Sequence, residues 1–211
     1  VRLLPVALVL VLLAGCGGGS SATTSTTTAG GGDGTALGPA FPGIAALPGA
    51  QGGPPWSAGA SRLQQRLRAI GLPALGTEGQ ALHIHQHLDV FVRGRKETVA
   101  ANIGIDPGGH FISPLHTHDT SGVLHVESPT VESFSLGQFF AVWGVPLSAT
   151  RLGALKTGGG RQLRAWVNGK PVAADPTRIV LAAHQEIVLA YGTAAQMPER
   201  VPSSYRFEAG L

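Results

Sequence analysis

Only one of the 211 residues is a cysteine, Cys16. No disulfide can form within the chain, and a thiolate-rich zinc site is excluded with it. Charge is also scarce, with Asp, Glu, Lys and Arg making up 13% of the residues for a formal net charge of +3. The basic residues are spread along the chain without a stripe, so nucleic acid is not an expected partner. Long apolar runs are missing too. The run from Leu3 to Leu13 falls short of the ~20 residues that a membrane-spanning helix needs. A fold with few charges and no cross-link must stand on its own core, helped by a metal if one binds.

That first apolar run, with Arg2 before it, has the length of a signal-peptide core. It ends in Leu13-Ala14-Gly15-Cys16, which resembles the lipobox of bacterial lipoproteins. The resemblance implies that residues 1–15 are a signal peptide. It also implies that Cys16 is lipidated and anchors the chain on the extracytoplasmic face of the cell membrane. Val1 in place of Met fits an alternative start codon or a start placed slightly late. Residues 17–56 are rich in Ser, Thr and Gly, then in Pro and Gly. Such a composition buries too little apolar surface to offset its ordering entropy, so residues 16–60 are expected to form a flexible, disordered tether.

Residues 61–205 read as a single domain of mainly β class, a small sheet or barrel-like fold with two short helices. In "SRLQQRLRAIGLP", Leu63, Leu67 and Ile70 keep helical spacing, with Ser61 placed to cap and Gly71 and Pro73 to stop the helix. "SLGQFFAVWG" predicts a second helix capped by Ser135, with Phe139, Phe140, Val142 and Trp143 in the core. "HIHQHLDVFV" alternates apolar and polar residues and predicts a strand. "TVAANIGI", "SGVLHVES" and "EIVLAYG" predict three more. "QLRAWVNGKPVAA" predicts a hairpin turning at Asn168-Gly169. The pattern Leu-x-x-aromatic-Val-x-Gly-basic occurs at both Leu88 and Leu163. It reads as two hairpins of like kind.

Six of the eight histidines fall in two short stretches, His83, His85 and His87, then His116, His118 and His125. Residues two apart on a strand share a face and lie ~6.6 Å apart along it. Two imidazoles at that spacing can converge on one ion with bonds of ~2.0–2.1 Å. His83 and His87 are too far apart to do so, so His85 and His87 are the expected upstream pair, with His83 less certain. His116 with His118, and His125 with Glu127, repeat the spacing around an Asp119–Gly122 turn. Three such pairs predict a metal site with His85, His87, His116, His118 and His125 as ligands, and with Glu127 as a further ligand or a base. Imidazole ligands without thiolates suit copper, zinc, nickel or iron, and affinity order with export puts copper or zinc first. Asp89 and Asp119 are placed to orient ring N–H groups. His110 and His184 read as loop and turn residues.

The stretch from His83 to Gly144 resembles a family of uncharacterised bacterial exported proteins and lipoproteins. It carries that family's segments "HIHQHL", "NIGI", "HTHDTSGVLHVE" and "LGQFFAVWG". The resemblance implies a shared site without naming its use. Likeness to cupins stops at residue type, since His118 and Glu127 are too far apart for the cupin motif. Two metal-dependent functions follow from the residues, beside a metal-free role in which the histidines sense pH through protonation. One is a membrane-tethered protein that captures or hands on copper or zinc. The other is a metal-dependent enzyme, a hydrolase or oxygenase, with Glu127 as general base.

Overall fold

The computed structural model describes residues 1, 35–39, 41 and 48–211. Cys16, the signal peptide and most of the expected tether lie outside the described residues. Strands outweigh helices, as the alternating pattern predicts. Strand β1 (Leu82–Val92) is followed by β2 (Arg95–Glu97), β3 (Leu115–His116) and β4 (Val123–Ser128). After β5 (Leu147–Ser148), β6 (Arg151–Leu152) and β7 (Leu155–Lys156) come β8 (Arg161–Val167), β9 (Lys170–Val172) and β10 (Glu186–Thr193). Helix α1 (Leu63–Ala69) precedes the strands, and α2 (Leu136–Trp143) falls between β4 and β5.

Seven strands form one curled sheet in the order β3-β4-β1-β10-β8-β9, with β2 also on β1. Strands β5, β6 and β7 make a separate small sheet. Most neighbours in the large sheet are antiparallel, but β1 and β10 run parallel, pairing His87 with Glu186 and Val90 with Leu189. β4 pairs with β1 over Leu82 to His87 and β2 over Val90 to Val92. Since β10 holds the other edge of β1, the strand is enclosed on both sides. Both expected hairpins turn on a positive-φ pair, Arg93-Gly94 (52°, 81°) and Asn168-Gly169 (51°, 76°). That geometry matches the twist of the flanking strands.

One face of the sheet is apolar. Leu88, Val90, Leu124, Val126, Ile187 and Leu189 are buried there in the main core with α1 and α2. Helix α2 is buried nearly all round, and Phe139, Phe140, Val142 and Trp143 are fully inaccessible. Ser135 caps it as expected: its Oγ accepts from Gln138 N (3.3 Å), and the Gln138 side chain accepts from Ser135 N (2.8 Å). The opposite face carries the imidazoles and a small apolar cluster of Trp166, Val188 and Ala190.

Three local expectations are corrected. Residues 98–105, expected as a strand, form none: 98–100 are irregular, 101–104 turn with Asn102 and Gly104 at φ of 60° and 76°, and Ile105 makes a lone bridge to Ile112. Their backbone braces β3 instead, with Thr117 N donating to Ile103 O (3.1 Å) and Ser113 N to Gly104 O (2.8 Å). Ser61 does not cap α1. The N-cap is Arg62, in the left-handed region, with no side-chain cap bond. The packed residues also extend upstream of Ser61. Trp56 is buried edge-on against Trp143 (5.8 Å between ring centres), and Gln51 Nε2 donates to Trp143 O (2.8 Å). An aromatic anchor outweighs the surrounding Gly and Pro.

Candidate metal centre

Strand register assembles the site. Residues directly opposite in neighbouring strands share a face, and strands lie ~4.8 Å apart. β1 and β4 pair His83 with Glu127 and His85 with His125, while β3 and β4 pair His116 with His125. One row across three strands is therefore His85, His125 and His116. Their ring centres are 4.5 Å (His85 to His125) and 5.2 Å (His125 to His116) apart. His118, just past β3, places its ring 4.5 Å from His125.

Glu127 sits at the middle of these rings. Its Oε1 is 3.0 Å from His125 Nδ1, 3.2 Å from His83 Nε2, 3.8 Å from His116 Nε2 and 4.0 Å from His85 Nε2. His83 Nε2 and His85 Nε2 are 3.2 Å apart. Two nitrogens bound tetrahedrally at ~2.0–2.1 Å lie roughly 3.3–3.4 Å apart, close to the 3.2 Å between His83 Nε2 and both His85 Nε2 and Glu127 Oε1. His85, His116, His125 and Glu127 form a buried floor, and His83 and His118 are half-exposed at its rim.

The hydrogen bonds leave lone pairs directed inward. Ser113 O can only accept, so His116 Nδ1, 3.0 Å away, carries the proton and Nε2 is the basic nitrogen. Among the described residues, that Nε2 and Glu127 Oε2 are buried without a hydrogen-bond partner. Unpartnered buried acceptors are costly, and a cation satisfies both. Burial also keeps His85 and His116 neutral, as ligands must be. Burial first, then the neighbouring His125 and His83, lowers His85 to about 4. Burial likewise lowers His116 to about 4, against the pull of Glu127. Burial opposes the Glu127 anion, but the His125 hydrogen bond and the surrounding imidazoles outweigh it and hold its carboxyl below the usual range.

His87 differs from expectation. The upstream pair that converges is His83 with His85, whereas His87 faces Glu186 across the parallel pair. Its Nδ1 lies 2.7 Å from Glu186 Oε2 and its Nε2 3.0 Å from Ser121 O. With Tyr205 stacked on the ring at 3.8 Å, both nitrogens and one face are occupied. Gly122, at φ +92°, makes this possible, since a Cβ there would lie 2.9 Å from His87 Nε2. His87, Asp89 and Glu186 form their own buried group. Asp89 takes Lys96 Nζ at 2.5 Å and lies 3.9 Å from His87 Nε2, beyond hydrogen-bond reach. Asp119 is a turn cap, accepting from Ser121 N (2.8 Å).

Away from the cluster, exposed His110 pairs with Asp106 (2.8 Å). His184 lines an open depression of roughly 350 Å³ with His83 and His85. Sequence reasoning missed Glu186, Tyr205 and Glu78. The last has its Oε1 3.5 Å from His118 Nε2. The β1–β10 parallel pairing that brings up Glu186 leaves no local signature, because parallel strands need a long crossover. No family model, curated protein or solved structure matches the chain.

Proposed function

We propose that this protein binds a transition metal ion, copper or zinc, as a membrane-tethered extracytoplasmic lipoprotein that captures the ion and hands it on. The observation that carries the reading is Glu127 Oε1, within 4.0 Å of nitrogens from four histidines, while Oε2 is buried without a hydrogen-bond partner among the described residues. His125 and Glu127, together with the His83–His85 pair or the His116–His118 pair, would hold the ion, with His83 and His118 at the rim, where an ion can enter and leave. Imidazole-rich donors without thiolates favour copper or zinc over calcium or magnesium. The lipobox-like Leu13–Cys16 stretch and the family resemblance support export and anchoring through Cys16. Elemental analysis of the chain purified from its native envelope tests the reading. The expected result is stoichiometric copper or zinc, and a metal-free protein that takes up neither ion would sink it.

A second reading is a metal-dependent enzyme, for which the depression beside His83 and His85 offers room for a substrate. A bound metal would supply Lewis acidity there. Glu127 suits the part of general base poorly, since its Oε1 is already held by His83 and His125. Glu127→Gln separates the readings. As a ligand, Glu127 contributes a charge-assisted interaction of ~1.5–3 kcal/mol, so its loss should weaken zinc binding by roughly ten-fold or more in calorimetric titration. Unchanged affinity in that variant would favour the base.

A further inference from the structure

The cluster has more donors than one tetrahedral ion takes. Five imidazoles and a carboxylate form two overlapping sets, His83, His85, His125 and Glu127, then His116, His118, His125 and Glu127. Within each set the donor atoms lie within 4.8 Å of one another. The two sets are laid out in space by the sheet. The His83–His85 pair projects from β1, the His116–His118 pair from β3 and just beyond, and the shared His125 and Glu127 from β4 between them. The His125 ring is 4.5 Å from both His85 and His118.

Glu127 is built as a bridge. Its Oε1 faces both pairs, at 3.2 Å from His83 Nε2 and 3.8 Å from His116 Nε2, and its Oε2 is buried with no hydrogen-bond partner among the described residues. A carboxylate has two oxygens to share between ions, and two-metal centres hold their ions ~3.5–4 Å apart. Negative charge to offset a second cation is also present on the His118 side. Glu78 lies 3.5 Å from His118.

We propose that the cluster is a dinuclear centre, with one divalent transition metal on His83 and His85, a second on His116 and His118, and Glu127 bridging them. This rests on the metal-binding reading above but goes beyond it in stoichiometry. The test loads the full chain with Cu(II) and reads bound copper per chain together with its electron paramagnetic resonance spectrum. The wild type should take up two ions whose spins are coupled. His83→Ala and His118→Ala each remove a rim imidazole from one set, and each should reduce the content from two ions to one with an uncoupled signal. A single ion in the wild type overturns the dinuclear centre while leaving the metal-binding function standing. No bound ion overturns both. Two uncoupled ions, one of them lost in Glu186→Gln, would move the second ion to His87, Asp89 and Glu186, and would also overturn the proposal.

Discussion

His85 and His116 are imidazoles held neutral in the absence of metal, and that has a measurable consequence. Both titrate near 4 in the folded chain, chiefly because burial penalises the cation. In the unfolded chain both return to ~6.5. Below that value the unfolded chain binds protons that the folded chain refuses, so the folded state loses ground. Stability from these two groups is therefore complete above about pH 6.5 and is lost as the pH falls towards 4. Glu127, held low, works in the same direction but only below the ordinary carboxylate range of ~4.3. Urea unfolding of the metal-free protein should give a midpoint that falls steadily from pH 7 to pH 4.5. A flat profile over that interval would mean that the imidazoles take up protons without unfolding, contrary to their burial.

Among the elements, β3 is the weakest support for the site, being two residues long and paired, among the described residues, to β4 alone. What holds it is the turn at residues 102–105, and Gly104 is the close contact. At φ +76°, a Cβ there would lie 2.3 Å from Leu115 O and 3.1 Å from His116 Cβ. Gly104→Ala adds a left-handed penalty of ~1–2 kcal/mol to that overlap. The variant should lose at least about 2 kcal/mol in urea unfolding and bind zinc more weakly than the wild type, because β3 and His116 move. Unchanged zinc affinity would show that His116 is not a ligand. The "NIGI" segment illustrates what was legible in the sequence. Its composition reads as a strand, but its use depends on contact with residues 113–117, which no local pattern reveals. The mainly β class, the α2 cap and the Asn168-Gly169 hairpin were legible because each rests on neighbouring residues. The convergence of His116, His118, His125 and Glu127 was legible for the same reason, through one turn. The exchange of His87 for His83 was not, because β1 has different partners along its two edges. β4 brings Glu127 to His83, and β10 brings Glu186 to His87.

What ties the helices to the upstream residues is a single buried cation. Arg66 on α1 is fully inaccessible and forms no ion pair among the described residues. Its guanidinium donates to backbone carbonyls alone. Nε and Nη2 reach Val142 O at 3.2 and 3.0 Å, and Nη1 reaches Ser61 O at 2.6 Å and Pro48 O at 3.2 Å. Nη2 also donates to Gly59 O. Val142 lies in the last turn of α2, where carbonyls lack helical partners and the helix dipole favours a cation. One side chain thus satisfies the end of α2, the start of α1 and residues 48–61 together. Burial lowers its pKa to about 10, which leaves it charged at neutral pH. Arg66→Met keeps most of the apolar stem but strands these carbonyls in the interior at ~1–3 kcal/mol each. Part of that loss is recovered if residues 48–61 peel away and rehydrate. The expected cost is about 3–5 kcal/mol, comparable to breaking a buried ion pair. Arg66→Lys should recover less than half of it, since one ammonium cannot reproduce a planar five-donor fork. Urea unfolding measures the cost, and limited proteolysis should find new cleavage between residues 48 and 61 in both variants. The imidazole cluster is on the opposite face of the sheet, so zinc affinity per folded molecule should remain that of the wild type. Equal loss of zinc binding and stability in Arg66→Met would mean that the core and the site unfold as one unit.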